Sequence, residues 1–253
     1  MSDALKQDNA KPLGPGSDFH DPEYVSNLFD RMASTYGILN YITSFGFSER
    51  WRKQCVEGAF SGMKDKDSAS VYDLMSGMGE TWPSLFRFPV GSVLAIDLSD
   101  RMCEKASRNA AKYKSTIKVL QADALGSSVP LESADVLVCC FGLKTLSPKQ
   151  RGQLATRVRK YLKPGGHYSF VEISSARGWW LGPLYRFYLL KVIPVLGRLF
   201  GGDPVAYGML GVYTERFGNC EDFAGQLKNA GLSTEYSSLF WGCASMVTGS
   251  KPG

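Results

Sequence analysis

The stretch Val71-Tyr72-Asp73-Leu74-Met75-Ser76-Gly77-Met78-Gly79-Glu80 decides how the rest of the chain is read. Residues 71–74 have the apolar character of a short buried strand. Gly77 and Gly79 permit a tight turn and a close backbone approach to a ligand. Glu80 and Thr81 then open a helix whose free N–H groups face a polar ligand group. Strand, glycine turn and helix start form the first unit of a nucleotide-binding α/β fold. Alone the pattern is weak, because glycine turns after strands are common.

Downstream, residues 92–98 (SVLAIDL) read as a second strand ending in Asp97. Asp97 lies about 20 residues past the turn, the spacing of a carboxylate that binds ribose hydroxyls. It also suits a helix cap, since a helix begins near Asp100, and the two roles are compatible. A third strand, 117–121, leads into Ala122-Asp123-Ala124. Asp123 is placed to accept from an adenine amino group, although a lone aspartate there also reads as a loop residue. The continuous apolar run 134–141 (ADVLVCCF) is that of a central parallel strand buried on both faces. A helix over 148–162 is stopped by Lys163-Pro164-Gly165-Gly166, which turns into a strand over 167–173. A helix over 220–230 and two strands, 232–240 and 243–248, close the chain. The short turn around Trp241-Gly242 makes those strands antiparallel.

Two helical regions stand outside this alternation. Upstream, 21–61 reads as a cap of three helices, the first opened by an Asp21-Pro22 cap. Downstream, 176–217 is rich in Trp, Tyr, Phe and Leu. Arg186, Lys191 and Arg198, with Pro183 and Pro194, argue against a spanning helix. The segment reads as a lid over a greasy pocket that touches a membrane, or as an ordinary buried insertion. Residues 1–20, polar and without an apolar run, read as a flexible tail, and 21–250 as one domain.

Composition narrows the class. The 253 residues are 44% hydrophobic, which excludes wholesale disorder. The net charge of +5 comes with no dense basic run, so nucleic acid is not an expected partner, whereas an anionic membrane surface is. Six cysteines without a CxxC pair read as reduced thiols of a cytosolic protein. No zinc spacing, repeat or serine-hydrolase elbow occurs, and His167 reads as structural.

The order of elements, Asp97, Ala122-Asp123-Ala124 and Leu162-Lys163-Pro164-Gly165-Gly166 resemble class I S-adenosylmethionine-dependent methyltransferases. Further motifs resemble the UbiE-like ubiquinone/menaquinone C-methyltransferase family more closely. They are Phe29-Asp30-Arg31-Met32-Ala33-Ser34-Thr35-Tyr36, Leu39-Asn40, Ser44-Phe45-Gly46, Phe141-Gly142-Leu143, Gly202-Asp203, Tyr207, Leu210 and Phe217. The resemblance implies a Rossmann-like α/β fold: a mostly parallel seven-stranded sheet, an antiparallel C-terminal hairpin, an N-terminal helical cap and a helical lid. It implies S-adenosylmethionine held by Asp73, Met75, Ser76, Gly77, Met78, Gly79, Asp97, Leu98, Met102, Asp123, Ala124 and Cys140. It places Tyr36, Lys144 and Tyr207 at the acceptor.

The departures are as informative. Met75 replaces the first glycine of the family's Asp-x-Gly-x-Gly-x-Gly turn, Gly37 an aspartate, and Lys144-Thr145 an Arg-Asn pair. The altered turn resembles that of a divergent branch, the rhodoquinone biosynthesis proteins. That resemblance implies replacement of a ubiquinone methoxy group by an amino group. S-adenosylmethionine would be the amino donor, manganese would assist, and the protein would sit peripherally on the cytoplasmic face of the inner membrane. Asp73, Glu80 and Glu172 are possible metal ligands, and the sequence does not choose among them. Quinone C-methylation, or a non-catalytic subunit of a quinone-synthesis complex, are the competing readings. Quinone tail length and oligomeric state are left open.

Overall fold

The computed structural model describes residues 19–63, 68–113 and 116–253. Seven strands form one sheet in the order β3-β2-β1-β4-β5-β7-β6. β1 (Ala69–Leu74), β2 (Val90–Asp97), β3 (Thr116–Gln121), β4 (Ala134–Cys140) and β5 (Leu162–Ile173) run parallel. β7 (Ala244–Ser250) runs antiparallel to both neighbours, β5 and β6 (Ser233–Leu239). The chain winds outward from β1 to β3 and then returns to β4 on the other side. That reversal opens a crevice at the carboxyl ends of β1 and β4, where the glycine turn lies.

Alternation along the strands builds two cores. Tyr72, Leu74, Leu137 and Phe170 pack beneath α6 (Pro148–Tyr161) and α10 (Glu221–Asn229). Val71, Val93, Val136 and Val138 pack against Val56 and Phe60 of α3 (Phe47–Phe60) and Trp82 and Leu85 of α4 (Trp82–Leu85). β4 reads as an unbroken apolar run because both faces are covered.

α1 (Pro22–Met32) and α2 (Tyr36–Thr43) complete the cap, and Asp21 accepts from Glu23 N and Tyr24 N at the start of α1. α5 (Asp100–Ala110) follows β2 under a Ser99 cap. The lid consists of α7 (Gly182–Phe187), a π turn (Tyr188–Val192), α8 (Ile193–Leu199) and α9 (Pro204–Phe217). The two family motifs of cap and lid meet here. Arg31 binds Asp203, whose other oxygen caps α9 through Val205 N and Ala206 N. Asp30 accepts from Ser99 Oγ and Arg101 N, tying α1 to the start of α5.

Four expectations are corrected. The helix after the glycine turn is a single turn, α4. Trp82 folds its indole back so that Nε1 donates to Asp73 Oδ2 at 3.1 Å, with the ring against Gly79. The strand expected over 134–141 ends at Cys140, because Phe141 adopts a left-handed φ of 69°. The Lys163-Pro164-Gly165-Gly166 segment lies inside β5 as an irregularity between the Ala134–Leu162 and Val136–His167 pairs. Of the expected tail, residues 1–18 lie outside the described residues, but Phe19 and His20 are held in place. Tyr213 donates to the Phe19 carbonyl, Arg216 stacks over the Phe19 ring, and Gln150 donates to the His20 carbonyl.

Candidate active site

Two adjoining cavities open at the carboxyl ends of the strands. A narrow cleft, with buried carboxylates in its wall, is lined by the glycine turn, the ends of β2 and β4, and α1. Beside it lies an apolar cavity of about 570 Å³ between α2, α3 and the lid. Tyr36 and Phe141 line both.

In the cleft the structure brings together Met75, Ser76, Gly77, Asp97, Leu98, Met102, Asp123, Ala124 and Cys140 of the expected cofactor residues. Asp73, Met78 and Gly79 stand behind its wall. Asp73 is 1% exposed beneath the turn and holds Trp82. Met78 packs among the cap residues around Met32 and Met102, and Gly79 makes room for the Trp82 ring.

The turn is stitched by carboxylates rather than by a long helix. Asp97 Oδ2 accepts from Gly77 N at 2.8 Å, and Oδ1 from Ser99 N at 2.9 Å. Glu80 Oε2 accepts from Met78 N at 2.9 Å. The N–H groups expected to face a ligand are therefore partly used within the turn. Burial pushes the Asp97 carboxyl up to about 6 and Asp73 well above the usual carboxylate range. Asp73 Oδ1, Ser76 Oγ and Glu80 Oε1 are buried without a hydrogen-bond partner among the described residues. Unpaired buried polar atoms are costly, so such a cluster beside a cleft marks where a polar ligand completes the bonding.

Sequence reasoning missed Arg52, which is 4% exposed and lines the cleft. Its guanidinium lies 5.1 Å from the Phe141 ring centroid. Burial opposes its charge, but Glu80 and Glu49 hold it. A signal existed: Arg52 falls on the stripe Ser48, Trp51, Cys55, Val56, Ala59 that α3 buries. A charge on the apolar face of a helix requires a buried partner.

Met75 holds a left-handed φ of 52°, the conformation that favours the family's glycine. Its side chain leans on Gly142: a Cβ built at Gly142 would lie 2.7 Å from both Met75 Cβ and Sδ. The altered turn thus grips the Phe141-Gly142-Leu143 segment on the shared wall.

The three expected acceptor residues all line the apolar cavity. Tyr36 lies at the junction beside Asn40, where burial raises its hydroxyl above the usual range and keeps it protonated. The Tyr207 hydroxyl pairs with Thr35 Oγ1 at 3.1 Å, and its ring wedges against Gly197 and Gly202. Lys144, on the 3-10 turn Leu143–Thr145, is 4% exposed and ion-paired with Glu172 at 2.7 Å.

Manganese prefers oxygen ligands. Among the described residues no group of three or more His, Cys, Asp or Glu side chains is placed to hold a metal ion. Asp73 is committed to Trp82, and Glu172 to Lys144 and Ile173 N. These side chains do not assemble the manganese site that the resemblance implies, and no step is routed through one.

Residues 18–251 match the ubiE/COQ5 methyltransferase family. The chain belongs to that family. A demethylmenaquinone methyltransferase of Thermus thermophilus is 29% identical over 226 residues, covering 89% of this chain and 100% of that protein. The ubiquinone/menaquinone biosynthesis C-methyltransferase UbiE of Syntrophotalea carbinolica is 29% identical, with 90% and 98% covered. Among solved structures, phosphoethanolamine N-methyltransferase 2 of Haemonchus contortus, in complex with S-adenosylhomocysteine, superposes with a TM-score of 0.60 at 15% identity. The match covers 96% of this chain and 62% of that one. The [4+2]-cyclase SpnF superposes at 0.56 and 13% identity over 79% of this chain and 80% of that one. These likenesses show the fold alone; a methyltransferase and a cyclase share it, so the reaction must be argued from the site.

Proposed function

We propose that this ubiE/COQ5 family member is an S-adenosylmethionine-dependent, quinone-modifying transferase, and that its reaction is the amination of ubiquinone to rhodoquinone, as in the RquA branch of rhodoquinone biosynthesis. S-adenosylmethionine supplies the amino nitrogen when bound. The nitrogen–carbon bond would form at the ring carbon bearing the methoxy group, and the methoxy would leave with a proton as methanol. The bond from that nitrogen to the cofactor's α-carbon would then break by elimination. The nitrogen would keep the electron pair and take the proton lost from the neighbouring carbon, which leaves an alkene on the remnant. The observation that carries this reading is the rebuilt wall between the cavities: left-handed Met75 wedged on Gly142, and Lys144 facing the acceptor space.

The residues divide the work. Asp97 and Asp123 hold the nucleoside end, and Arg52 attracts the carboxylate of the amino-acid end. Glu80 Oε1, buried without a partner among the described residues, would accept from the ammonium group and draw a proton from it as the nitrogen adds to the ring. Met75 fills the passage beside Gly142 and would set which end of the cofactor reaches the acceptor. The apolar cavity excludes water and holds the quinone.

The mouth of that cavity supports peripheral membrane attachment. No helix among the described residues is long and apolar enough to cross a membrane. Phe45, Leu184 and Phe187 line that cavity and are between 56% and 79% exposed, with Ile38, Trp180 and Leu199 exposed elsewhere on the cap and lid segments. Arg186, Lys191 and Arg198 lie along the same lid helices. Exposed aromatic and aliphatic side chains beside cations suit the interface of an anionic bilayer, here the cytoplasmic face of the inner membrane.

Quinone C-methylation is the second reading, favoured by the names of the relatives. One experiment separates them. The protein is incubated, with and without manganese, with S-adenosylmethionine carrying ¹⁵N in the amine and ¹³C in the methyl group, and either with ubiquinone or with a reduced demethylquinone that has a free ring carbon. The quinone is then weighed by mass spectrometry. Amination puts ¹⁵N in the ubiquinone-derived product, methylation puts ¹³C in the demethylquinone-derived product, and no label in either assigns the chain to a non-catalytic role.

A further inference from the structure

The acceptor cavity has one charged residue in its lining, Lys144; the rest is aromatic, aliphatic or uncharged polar. Most of the hydroxyls there are already engaged. Tyr188 donates to the Thr43 carbonyl, Tyr185 to the Cys243 carbonyl and Thr214 to the Leu210 carbonyl. The Lys144 ammonium has three hydrogens. One goes to Glu172 Oε1 at 2.7 Å and one to the Phe141 carbonyl at 2.8 Å. The third has no acceptor among the described residues, at a position on the cavity wall.

Glu172 is built to hold that ammonium. It is fully buried at the end of β5 and also accepts from Lys144 N at 3.1 Å and Ile173 N at 2.8 Å. The carboxylate thus grips both the backbone and the side-chain tip of the same lysine. An ion pair this buried contributes little net stability, since desolvation offsets the attraction. Its location on the wall of an apolar cavity is what asks for a reason.

We infer that Lys144 anchors a carbonyl or phenolate oxygen of the acceptor ring through its third hydrogen, and that Glu172 is the positioning residue that holds and aims the ammonium. The inference deepens the quinone reading above and rests on it. A hydrogen bond from a cation strengthens as negative charge grows on the ring oxygen, which occurs when a nucleophile adds to the ring. In methyl transfer, where the ring carbon is itself the nucleophile, the same cation would instead hold the acceptor as its phenolate. Titratable neighbours of the pair are the Cys139 and Cys220 thiols and the Tyr36 and Tyr185 hydroxyls, all kept protonated by burial, with Arg151 the nearby cation.

The test reads binding, so it does not depend on which group is transferred. Trp51 and Trp179 line the cavity, and quenching of their fluorescence reports quinone occupancy. The full-length protein is titrated with a short-tailed ubiquinone, and a benzene carrying the same tail but no ring oxygen is read by its displacement of that quinone. The parent should prefer the quinone by roughly 10- to 100-fold, the range for a hydrogen bond to a charged group. Lys144→Met should abolish the preference, and Lys144→Arg should restore part of it. Glu172→Gln should weaken binding of the quinone and leave that of the benzene unchanged, because the ammonium is no longer aimed. A merely structural Glu172 would instead weaken both ligands alike. If either single variant misfolds by thermal melt, the double variant Lys144→Met/Glu172→Leu removes both charges together and should bind the two ligands alike. A parent that binds no quinone overturns the functional reading. A parent that discriminates, with discrimination intact in Lys144→Met or the double variant, overturns the anchor alone.

Discussion

The cofactor cleft and the acceptor cavity have only Tyr36 and Phe141 in common among the residues that line them. The cleft is made at strand ends, where backbone turns and buried carboxylates set its shape: Gly77 N on Asp97, Met78 N on Glu80. The cavity is made of side chains from helices far apart in sequence. Tyr188 reaches the Thr43 carbonyl across 145 residues, and Tyr207 meets Thr35 across 172. A site built by one local turn tolerates few changes and gives a general cofactor grip. A site built by docking helices is free to change its ligand while the grip stays.

The sharpest way to break this division is Met75→Gly, at the wall between the two. Glycine adopts the left-handed φ there without strain, so the thermal midpoint should hold or rise slightly. Cofactor affinity by calorimetry should change little, while rhodoquinone formation should fall about 100-fold, the usual cost of a misplacement of about 1 Å. Full activity would make the altered turn incidental and return C-methylation to first place.

Asp97→Ala tests the cleft alone. Loss of ribose hydrogen bonds should weaken S-adenosylmethionine binding by about 1–3 kcal/mol. Unchanged calorimetric affinity would remove Asp97 from the site. The parent adds a pH signature. Because burial holds the Asp97 carboxyl at about 6, cofactor affinity should fall as pH drops through that value. The stability contribution of Asp97 has the opposite sign. A raised carboxyl favours the folded state at acid pH, and that contribution declines as pH rises through about 6. Calorimetric titrations and melts across this range should therefore trend in opposite directions.

The cavity mouth is tested by Phe45→Ser, a strongly exposed residue of its lining. Sedimentation with anionic phospholipid vesicles should weaken by about tenfold, on the order of one apolar side chain withdrawn from the interface. Equal binding by parent and variant would discard the membrane face. The smallest effect is expected at the cap–lid tie. Arg31→Ala removes a partly exposed ion pair to Asp203 and should lower stability by less than about 1 kcal/mol in a denaturant melt. A larger loss would show that the lid depends on this tie rather than on its apolar packing.

Much of the cleft was legible because its information is local. The spacing from Gly77 to Asp97 and the unbroken apolar β4 follow from periodicity and turn chemistry. The shortness of α4 was not legible, because it depends on a Trp82 indole folding back onto Asp73. Arg52 was hidden because its role emerges only when α3 docks against Phe141 and the turn. Lys144 was noticed as a substitution, yet its meaning rests on Glu172, 28 residues away, a pairing that only the β4–β5 ladder creates.

The wedge of Met75 on Gly142 also bears on how such a chain changes over generations. A side chain at 142 would collide with Met75 at 2.7 Å, so no residue larger than glycine fits there while the methionine stands. Position 75 must shrink before position 142 is free to vary. The order of steps is fixed by steric exclusion, and a lineage that has taken the methionine has closed one path behind it.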